Sequence, residues 1–401
     1  MLYKYKAVSE SGRVLKGVYE ARTEDDVIAM IRNNSYLPVS IEKSDTRGKS
    51  LNIFTTRVKK KDLAIFCRQF YTMLNAGISI VKCLDILEKQ VENNVLKKAI
   101  GRVCEDVQKG FTLSEAMKKN EEVFPSLFIN MIEAGEVSGN LDTIMERMSI
   151  HYEKENKIEN KVKSALAYPI VLSIVAIGVV IFLLTFVMPT FIGMFESSGV
   201  ALPAPTRLLL NISYGLQNYW HIFIPIVIAL IVLARLYSQT ESGSLLFDSI
   251  KIKMPGIKKI NIKIITSRFA RTLATLMASG ISLLEALDAV SKVVGNKVVA
   301  QGIRKAKEDV RKGAPLSRTI KEMNVFPPML NSMLKVGEES GSLDEILTKT
   351  ADFYDEEAEV SLQNMTTMLE PIMTVFMAII IGFIVISMAM PMFDMVNTIQ
   401  I

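Results

Sequence analysis

Histidine is nearly absent from this sequence of 401 residues, which holds only His151 and His221. A histidine-based metal site would therefore have to be built almost without imidazole ligands. The three cysteines, Cys67, Cys83 and Cys104, lack CxxC spacing and lie at apolar positions of predicted helices. We expect them to be reduced thiols in a protein core. These absences argue against a metal centre and against a disulfide framework.

Catalytic and nucleotide-binding motifs are also missing. No HExxH, GxSxG or GxGxxG motif occurs in a supporting context. The triplet Gly48-Lys49-Ser50 resembles the end of a phosphate-binding loop, but position 43 is Lys rather than Gly and no strong strand precedes it. The abundant carboxylates are typical of solvated faces of amphipathic helices. We therefore predict that the chain is not an enzyme and holds no cofactor.

Charge is absent from three long apolar stretches. Residues 170–195 are uncharged until Glu196, residues 371–393 are uncharged throughout, and both exceed the ~20 residues that span a bilayer as a helix. Residues 222–234 are also uncharged, and they reach spanning length only when Tyr219 to Tyr237 are included. A buried core helix is the alternative for the middle stretch, whereas the outer two offer no polar face to solvent. We predict transmembrane helices at residues 169–195, 219–237 and 371–393.

Basic residues are distributed unevenly about these spans. Four lysines precede the first span, and six basic residues without an intervening acid occupy residues 251–268 after the second. The loop 196–218 holds one basic residue, Arg207, and the tail 394–401 holds none. By the positive-inside rule, we expect the N-terminus and the regions before the outer spans to be cytoplasmic, with the loop and the tail outside. The first 20 residues contain no apolar core, so no signal peptide is predicted.

The basic run 251–268 also bears on possible partners. It abuts a membrane span and lacks interleaved aromatic residues. Juxtamembrane basic stretches normally face anionic lipid, so we expect membrane lipid and not nucleic acid at this segment.

A long internal repeat is present. Residues 135–142 read GEVSGNLD, and residues 337–344, 202 residues later, read GEESGSLD. The same offset relates Phe124-Pro125 to Phe326-Pro327 and Pro169 to Pro371; upstream, where the offset is 203, NAGIS at 75–79 corresponds to ASGIS at 278–282. The repeat covers residues 61–193 and 264–395, here called the first and second repeats. Its period far exceeds that of solenoid units, which indicates a duplicated domain.

The pattern within each part predicts the secondary structure. The first 45 residues alternate as strands about a helix that begins with a capping box at Thr23 and Asp26. Each repeat shows consecutive amphipathic helices, of which one begins at Pro125 and is expected to end at Gly135. The predicted divisions are an N-terminal α+β domain (1–45), a linker (46–60), a first helical domain (61–168), a span (169–195), an external loop (196–218), a span (219–237), a basic linker (238–263), a second helical domain (264–370), a span (371–393) and an external tail (394–401).

The duplicated octapeptide is predicted to form a corner between two helices. We expect Gly135 and Gly337 to take the positive φ of a helix C-cap, and Gly139 and Gly341 to permit a second bend. Asn140 or Ser342 can cap the next helix, with an aspartate in its first turn.

The backbone geometry of a corner does not require a glutamate at position 136 or 338. The side chains of Glu136 and Glu338 are therefore either solvated or bind a partner. The candidate docking residues are Gly135, Glu136, Ser138, Gly139, Asp142, Gly337, Glu338, Ser340, Gly341 and Asp344.

Several of these motifs resemble one known family. They are the start YKYKAVSESGRVLKG, the pair RQFYTMLNAGIS and ARTLATLMASGIS, both GExSGxLD corners, and LPAPT at 202–206. Ala167-Tyr168-Pro169 and Leu369-Glu370-Pro371 match at the span entries, where Pro169, Glu370 and Pro371 are candidate functional residues. Over essentially its whole length, the chain resembles the inner-membrane platform proteins of type II secretion and type IV pilus assembly, the GspF/PilC family.

The resemblance implies a non-enzymatic scaffold of the cell (inner) membrane. Its fold would be mainly α, with two tandem six-helix cytoplasmic bundles, three transmembrane helices and a small N-terminal α+β unit. The implied partners are a hexameric secretion or pilus ATPase, pilin or pseudopilin, other inner-membrane assembly proteins and further copies of the chain.

Two alternatives from other classes stay open at the level of sequence. One is a transporter or channel subunit, although uncharged spans would give a pore no polar lining. The other is a membrane enzyme, which the missing catalytic constellation disfavours.

Overall fold

The computed structural model describes residues 2–9, 14–20, 23–33, 36–43, 58–191 and 203–399. Gly48-Lys49-Ser50 and the first part of the predicted external loop, residues 196–202, lie outside these ranges. The described chain is mainly helical, as predicted, and divides into two compact units, Met1–Thr56 and Arg57–Ile401.

The first unit is a three-stranded antiparallel sheet with one helix. Its order is β1 (Leu2–Ser9), β2 (Val14–Glu20), α1 (Glu24–Asn33) and β3 (Tyr36–Lys43), and β1 is the central strand. The predicted capping box is confirmed, because the Thr23 and Asp26 side chains each accept a hydrogen bond from the other residue's backbone N–H. Pro38, which cannot donate to a ladder, lies in edge strand β3 beside a register shift.

Six helices form the first repeat. They are α2 (Lys60–Asn75), α3 (Ile80–Gln90), α4 (Asn94–Gln108), α5 (Leu113–Lys118), α6 (Ser126–Ser138) and α7 (Leu141–Phe182). The prediction that α6 ends at Gly135 was wrong, because the helix continues to Ser138.

In the part of the chain that the structure describes, two helices lie between the repeats, α8 (Ala204–Gln239) and α9 (Glu241–Lys253). The predicted basic linker 238–263 is therefore mostly helical, which corrects that assignment. Thr240 caps α9 by accepting a hydrogen bond from Gly243 N at 3.1 Å, and Gly256, with φ of +91°, sets the turn into the next helix.

The second repeat has the same six-helix order as the first. Its helices are α10 (Ile257–Ala278), α11 (Leu283–Val293), α12 (Lys297–Arg311), α13 (Leu316–Glu322), α14 (Pro328–Ser340) and α15 (Leu343–Ile399). The predicted tail 394–401 is thus helical through Ile399, because α15 simply continues past its span.

Equivalent phenylalanines form the cores of the two repeats. The rings of Phe66 and Phe124 have centroids 6.1 Å apart, and those of Phe269 and Phe326 are 4.9 Å apart. All four side chains are buried within one continuous apolar core that joins both repeats. Cys67, Cys83 and Cys104 lie in this core as free thiols, as predicted.

Within the described ranges, three helices are long and apolar enough to cross a membrane, namely Leu141–Phe191, Ala204–Gln239 and Leu343–Met390. Their contacts concentrate near Leu184, Leu209 and Ile384. A π-helical turn at Leu183–Val187 lies there in the first span, where Ser213 Oγ donates to Leu184 O and Gln217 Nε2 donates to Thr185 O. These side chains of α8 satisfy carbonyl groups at the irregular turn.

The predicted external loop 196–218 needs correction, because α8 begins at Ala204. Pro203 is the N-cap residue of α8 and Pro205 lies in its first turn, where proline suits a helix. The apolar residues that follow, Leu209 and Leu210, are buried against the other two spans, and Thr206 Oγ donates to Ser387 O at 2.6 Å.

Candidate functional site: the duplicated corners and the seam between the repeats

The two corners have the same backbone geometry. Gly139 and Gly341 occupy the C-cap positions of α6 and α14, each with φ of +71°. Gly135 and Gly337 lie inside the helices, so the expectation that they take positive φ was wrong. A Cβ on Gly135 would lie 2.8 Å from Ile144 Cγ1, and close approach of the next helix therefore explains this glycine.

Gly337 is confined in the same way. A Cβ there would lie 2.7 Å from Leu343 Cδ1 and 3.0 Å from Leu343 Cα. Backbone at that distance cannot move aside without shifting the start of α15. Both corners thus bring consecutive helices into close contact at a glycine.

The predictions for the polar residues that follow Gly139 and Gly341 are only partly confirmed. Asp142 and Asp344 lie in the first turns of α7 and α15, as predicted. Asn140 holds the N-cap position of α7, but its side chain makes no capping hydrogen bond, which corrects the prediction. Its backbone takes φ of −111° and ψ of 45°, outside the extended conformation usual for capping.

The serines of the corners bond locally instead. Ser138 Oγ donates to Ala134 O at 2.8 Å. Ser340 Oγ and Ser342 Oγ lie 2.9 Å apart in the second corner, so neither serine is presented as an isolated polar group.

The corner glutamates hold the short fourth helix of each repeat, α5 in the first and α13 in the second. Glu136 Oε1 accepts Leu113 N at 2.5 Å, while Oε2 accepts Ser114 N at 3.0 Å and Ser114 Oγ at 2.5 Å. The carboxylate therefore meets the N-terminus of α5, where unpaired N–H groups and the helix dipole favour an anion. We call this arrangement the glutamate clamp.

The second repeat has the same clamp. Glu338 accepts hydrogen bonds from Leu316 N, from Ser317 N at 3.2 Å and from Ser317 Oγ at 2.5 Å. Both glutamates are half-buried and accept backbone hydrogen bonds, which excludes the first of the two alternatives, free and solvated carboxylates. Docking of a partner at these corners stays a prediction. The missed signal was a repeated Leu-Ser pair, Leu113-Ser114 and Leu316-Ser317, upstream of the repeated glutamate.

Each repeat contains two ion pairs between its first and last helices, and both pairs occupy equivalent positions in the two repeats. Lys60 Nζ lies 2.5 Å from Glu155 Oε2, and Lys263 Nζ lies 2.6 Å from Glu357 Oε2. The second pair joins Arg68 to Glu153 in one repeat and Arg271 to Asp355 in the other.

Glu155 also connects the two repeats. The side chain is 7 % exposed, and its Oε1 lies 2.8 Å from Nε of Arg268, which belongs to α10. Burial opposes ionisation, yet Arg268 and Lys60 outweigh it and lower the pKa of Glu155 to about 2. The neighbouring His151 has Nδ1 buried without a partner, and burial lowers its pKa to about 4. The carboxylate is therefore charged and the imidazole neutral at pH 7.

The long helices α7 and α15 pack side by side and run in the same direction. Lys154 Nζ lies 3.1 Å from Asp352 Oδ1, and Lys157 Nζ lies 3.7 Å from Glu359 Oε2. Lys161 also pairs with Glu359. Lys157 and Glu359 are equivalent positions of the two repeats, so equivalent faces of the two helices meet. We call this contact the seam.

The span-entry prolines lie within continuous helices. Pro169 is inside α7, and Glu370 and Pro371 are inside α15. Pro169 cannot donate to the Ala165 carbonyl four residues earlier, and Thr366 Oγ of α15 lies 3.5 Å from that oxygen. The predicted domain boundaries at 168/169 and 370/371 are therefore not helix boundaries. Glu370 is exposed.

Among the described residues, no group of three or more His, Cys, Asp and Glu side chains could hold a metal ion. The candidate residues are instead engaged in helix capping, close helix packing and ion pairing.

Comparison with known proteins agrees with the repeat. The family described as type II secretion system protein F matches residues 66–189 and again residues 269–391, and the N-terminal domain of that protein matches residues 1–42. Type IV pilus assembly protein PilC of Thermus thermophilus is 36 % identical over 100 % of this chain and 99 % of its own length.

Two further relatives are similar over nearly full length. PilC of Myxococcus xanthus is 36 % identical over 99 % of this chain and 96 % of its own. Type II secretion system protein F of Vibrio cholerae is 33 % identical over 98 % of both chains. Similarity therefore extends to proteins of both pilus assembly and secretion.

Proposed function

Because this chain belongs to the type II secretion system protein F family, we propose that it is a membrane platform which couples a cytoplasmic hexameric ATPase to the polymerisation of pilin or pseudopilin. The family is one of structural proteins in pilus and secretion machinery, and three apolar helices fit a multi-pass protein of the inner membrane. The coupling role, the ATPase, the pilin and the cytoplasmic orientation belong to the proposal.

One observation carries the coupling role. The last helix of each repeat continues into a span without a break, over Leu141–Phe182 in α7 and Leu343–Ile399 in α15. At 1.5 Å per residue, such helices are about 60 and 85 Å long. A rigid-body movement of a repeat, driven from the cytoplasm, would therefore be delivered to the membrane segment of the same helix.

The seam supports this role. Lysines of α7 pair with acids of α15, and the Thr366 hydroxyl reaches the Ala165 carbonyl nearer the membrane. Several contacts along the two helices favour their movement as one body. We infer that the chain works with further copies and with other inner-membrane assembly proteins around the growing filament.

Helix continuity can be tested by matched substitutions. Lys163 and Ser164 of α7, and Gln363 and Asn364 of α15, are exposed residues near the membrane. Changing all four to Gly should weaken both helices by about 1 kcal/mol per site relative to a variant with Ala at the same four positions. We expect the Gly variant to insert in the membrane at normal levels but to produce few surface filaments or little secreted protein, and the Ala variant to retain most output.

Filament or secretion output is measured by electron microscopy and by assay of the culture medium, alongside a deletion strain. Equal output from the Gly and Ala variants would count against mechanical coupling through these helices. Normal filaments and secretion in the deletion strain would contradict the platform role itself.

A further inference from the structure

Helix α9 begins where the second span ends. Only Thr240 separates it from α8, and a Cβ on Gly243 would lie 1.9 Å from the Tyr237 carbonyl oxygen. The first turn of α9 therefore lies directly against the last turn of α8. Because α8 is long and apolar enough to cross the bilayer, α9 starts close to the membrane boundary.

Contacts with the second repeat fix the rotation of α9 about its axis. Asp248 is 9 % exposed; its Oδ2 accepts Lys297 N at 2.9 Å, and its carbonyl accepts Asn296 Nδ2 at 3.0 Å. Ile252, one turn further along the same side, packs against the main apolar core. One side of α9 is thus committed to the protein.

Another side of α9 is apolar and uncovered. Leu246, Ile250 and Met254 follow one another at four-residue intervals and are 48, 45 and 49 % exposed. Ile257, at the start of α10, continues the series with 40 % exposure. We call these four residues the α9 stripe. Residues spaced by four lie along one face of a helix, so Leu246 and Ile250 form an apolar edge of α9. Met254 is the C-cap residue of α9, and Ile257 lies just beyond the turn at Gly256.

Exposed lysines flank the stripe. Lys253, Lys258 and Lys259 make no ion pair within the part of the chain that the structure describes, and Lys251 pairs with Asp248 at 2.9 Å. An apolar edge bordered by lysines is typical of a helix that lies in the membrane interface and attracts anionic headgroups.

We propose that α9 and the first turn of α10 lie on the membrane surface, with the α9 stripe in the boundary between headgroups and acyl chains and the lysines on anionic lipid phosphates. Two observations favour lipid over a protein partner: the stripe follows directly from a span, and the free charges beside it are all of one sign. The inference requires that α8 cross the membrane and does not depend on the platform role.

The single tryptophan of the chain, Trp220, permits a direct test. In a Trp220→Phe background, an Ile250→Trp variant of the full chain is reconstituted into bilayers of phosphatidylglycerol and phosphatidylcholine with or without brominated acyl chains. We expect brominated lipid to reduce its fluorescence about as much as it reduces that of Trp220 in the unmodified chain. A Val137→Trp variant in the same background is the aqueous control, because Val137 is 86 % exposed at the first corner.

Lipid charge is tested in the same system. Changing Lys253, Lys258 and Lys259 to Gln in the Ile250→Trp variant should reduce quenching in bilayers that contain phosphatidylglycerol and should have no effect in pure phosphatidylcholine. If the Ile250→Trp variant is quenched no more than the Val137→Trp control, the interfacial position is refuted. Protection of the Ile250→Trp variant from both brominated lipid and aqueous iodide would show that protein, such as a second copy of the chain, covers the stripe, and would overturn the proposal. Quenching that is unaffected by the Gln changes would overturn the preference for anionic lipid.

Discussion

Replacing Glu136 by Ala should loosen the first repeat. The change removes three charge-assisted hydrogen bonds, two of them to backbone N–H groups of α5. A hydrogen bond to a charged group contributes about 1.5–3 kcal/mol, but water can reach part of this half-buried site and replace some of the interaction. We therefore expect a net loss of about 2 kcal/mol in the free energy of opening the first repeat.

The three buried thiols provide the assay. Cys67, Cys83 and Cys104 all lie in the first repeat, and the second repeat contains no cysteine. When reclosing is fast, the rate at which a thiol reagent labels a buried cysteine follows the population of the open state. A loss of about 2 kcal/mol should therefore increase labelling about 30-fold.

Two substitutions are matched controls for this result. Glu338→Ala removes the same clamp from the second repeat and should accelerate labelling much less, because no thiol lies there. Glu133→Ala changes an exposed residue of α6 that makes no hydrogen bond or ion pair within the described chain, and should leave the rate nearly unchanged. An unchanged rate in Glu136→Ala, or equal acceleration by all three substitutions, would refute the clamp.

Gly135→Ala should destabilise the first repeat by about 1–3 kcal/mol, because the new Cβ would contact Ile144, and should thereby accelerate thiol labelling. Gly178→Ala is the control, since nothing lies within 4 Å of its new Cβ, and should leave the labelling rate unchanged. Equal effects of the two substitutions would contradict the packing argument. His151 has a folded pKa of about 4, below its unfolded value of about 6.5, so the unfolded chain binds the extra proton and stability should fall as pH drops from 6.5 to 4. Phe353 occupies the equivalent position of the second repeat, so His151→Phe should be tolerated and should remove that loss of stability. The proteolysis rates of the variant and the unmodified chain are compared at pH 7 and pH 5. If the ratio of the two rates is the same at both pH values, His151 does not cause the loss. In a chain without Cys67, Cys83 and Cys104, a cysteine at Ser198 should react with an impermeant reagent added outside the cell and one at Val137 should not, and the reverse pattern would overturn the orientation.

Local sequence pattern predicted most of the helices but misplaced some ends. The end of α6 was placed at Gly135 because glycine commonly terminates helices, whereas the structure uses this glycine for close contact with Ile144. Likewise, the external loop was predicted to extend to residue 218 because the second span was predicted to begin at Tyr219. The burial of Leu209 and Leu210 against the other spans explains why the helix begins earlier, and this partner surface is not visible in the local sequence.

The glutamate clamp shows a second limit. Glu136 and Ser114 are 22 residues apart, and their contact depends on how α5 packs against α6. The repeat still contained a usable signal, because both the glutamate and the upstream Leu-Ser pair are duplicated. The charge pairs of the seam were harder to predict, since lysines and acids are common on both long helices and only the register of α7 against α15 selects the partners.

The opposite charges of the seam disfavour the association of two identical halves. A symmetric dimer of two first repeats, packed as α7 packs on α15, would bring one Lys157 towards another, and two second repeats would bring Glu359 towards Glu359. Like charges that face each other repel, whereas the present chain opposes Lys157 with Glu359. Duplication within a single polypeptide thus allows two equivalent positions to diverge in sign. Across this largely exposed pair, the difference in sign favours the other half of the same chain over a second copy of the same half.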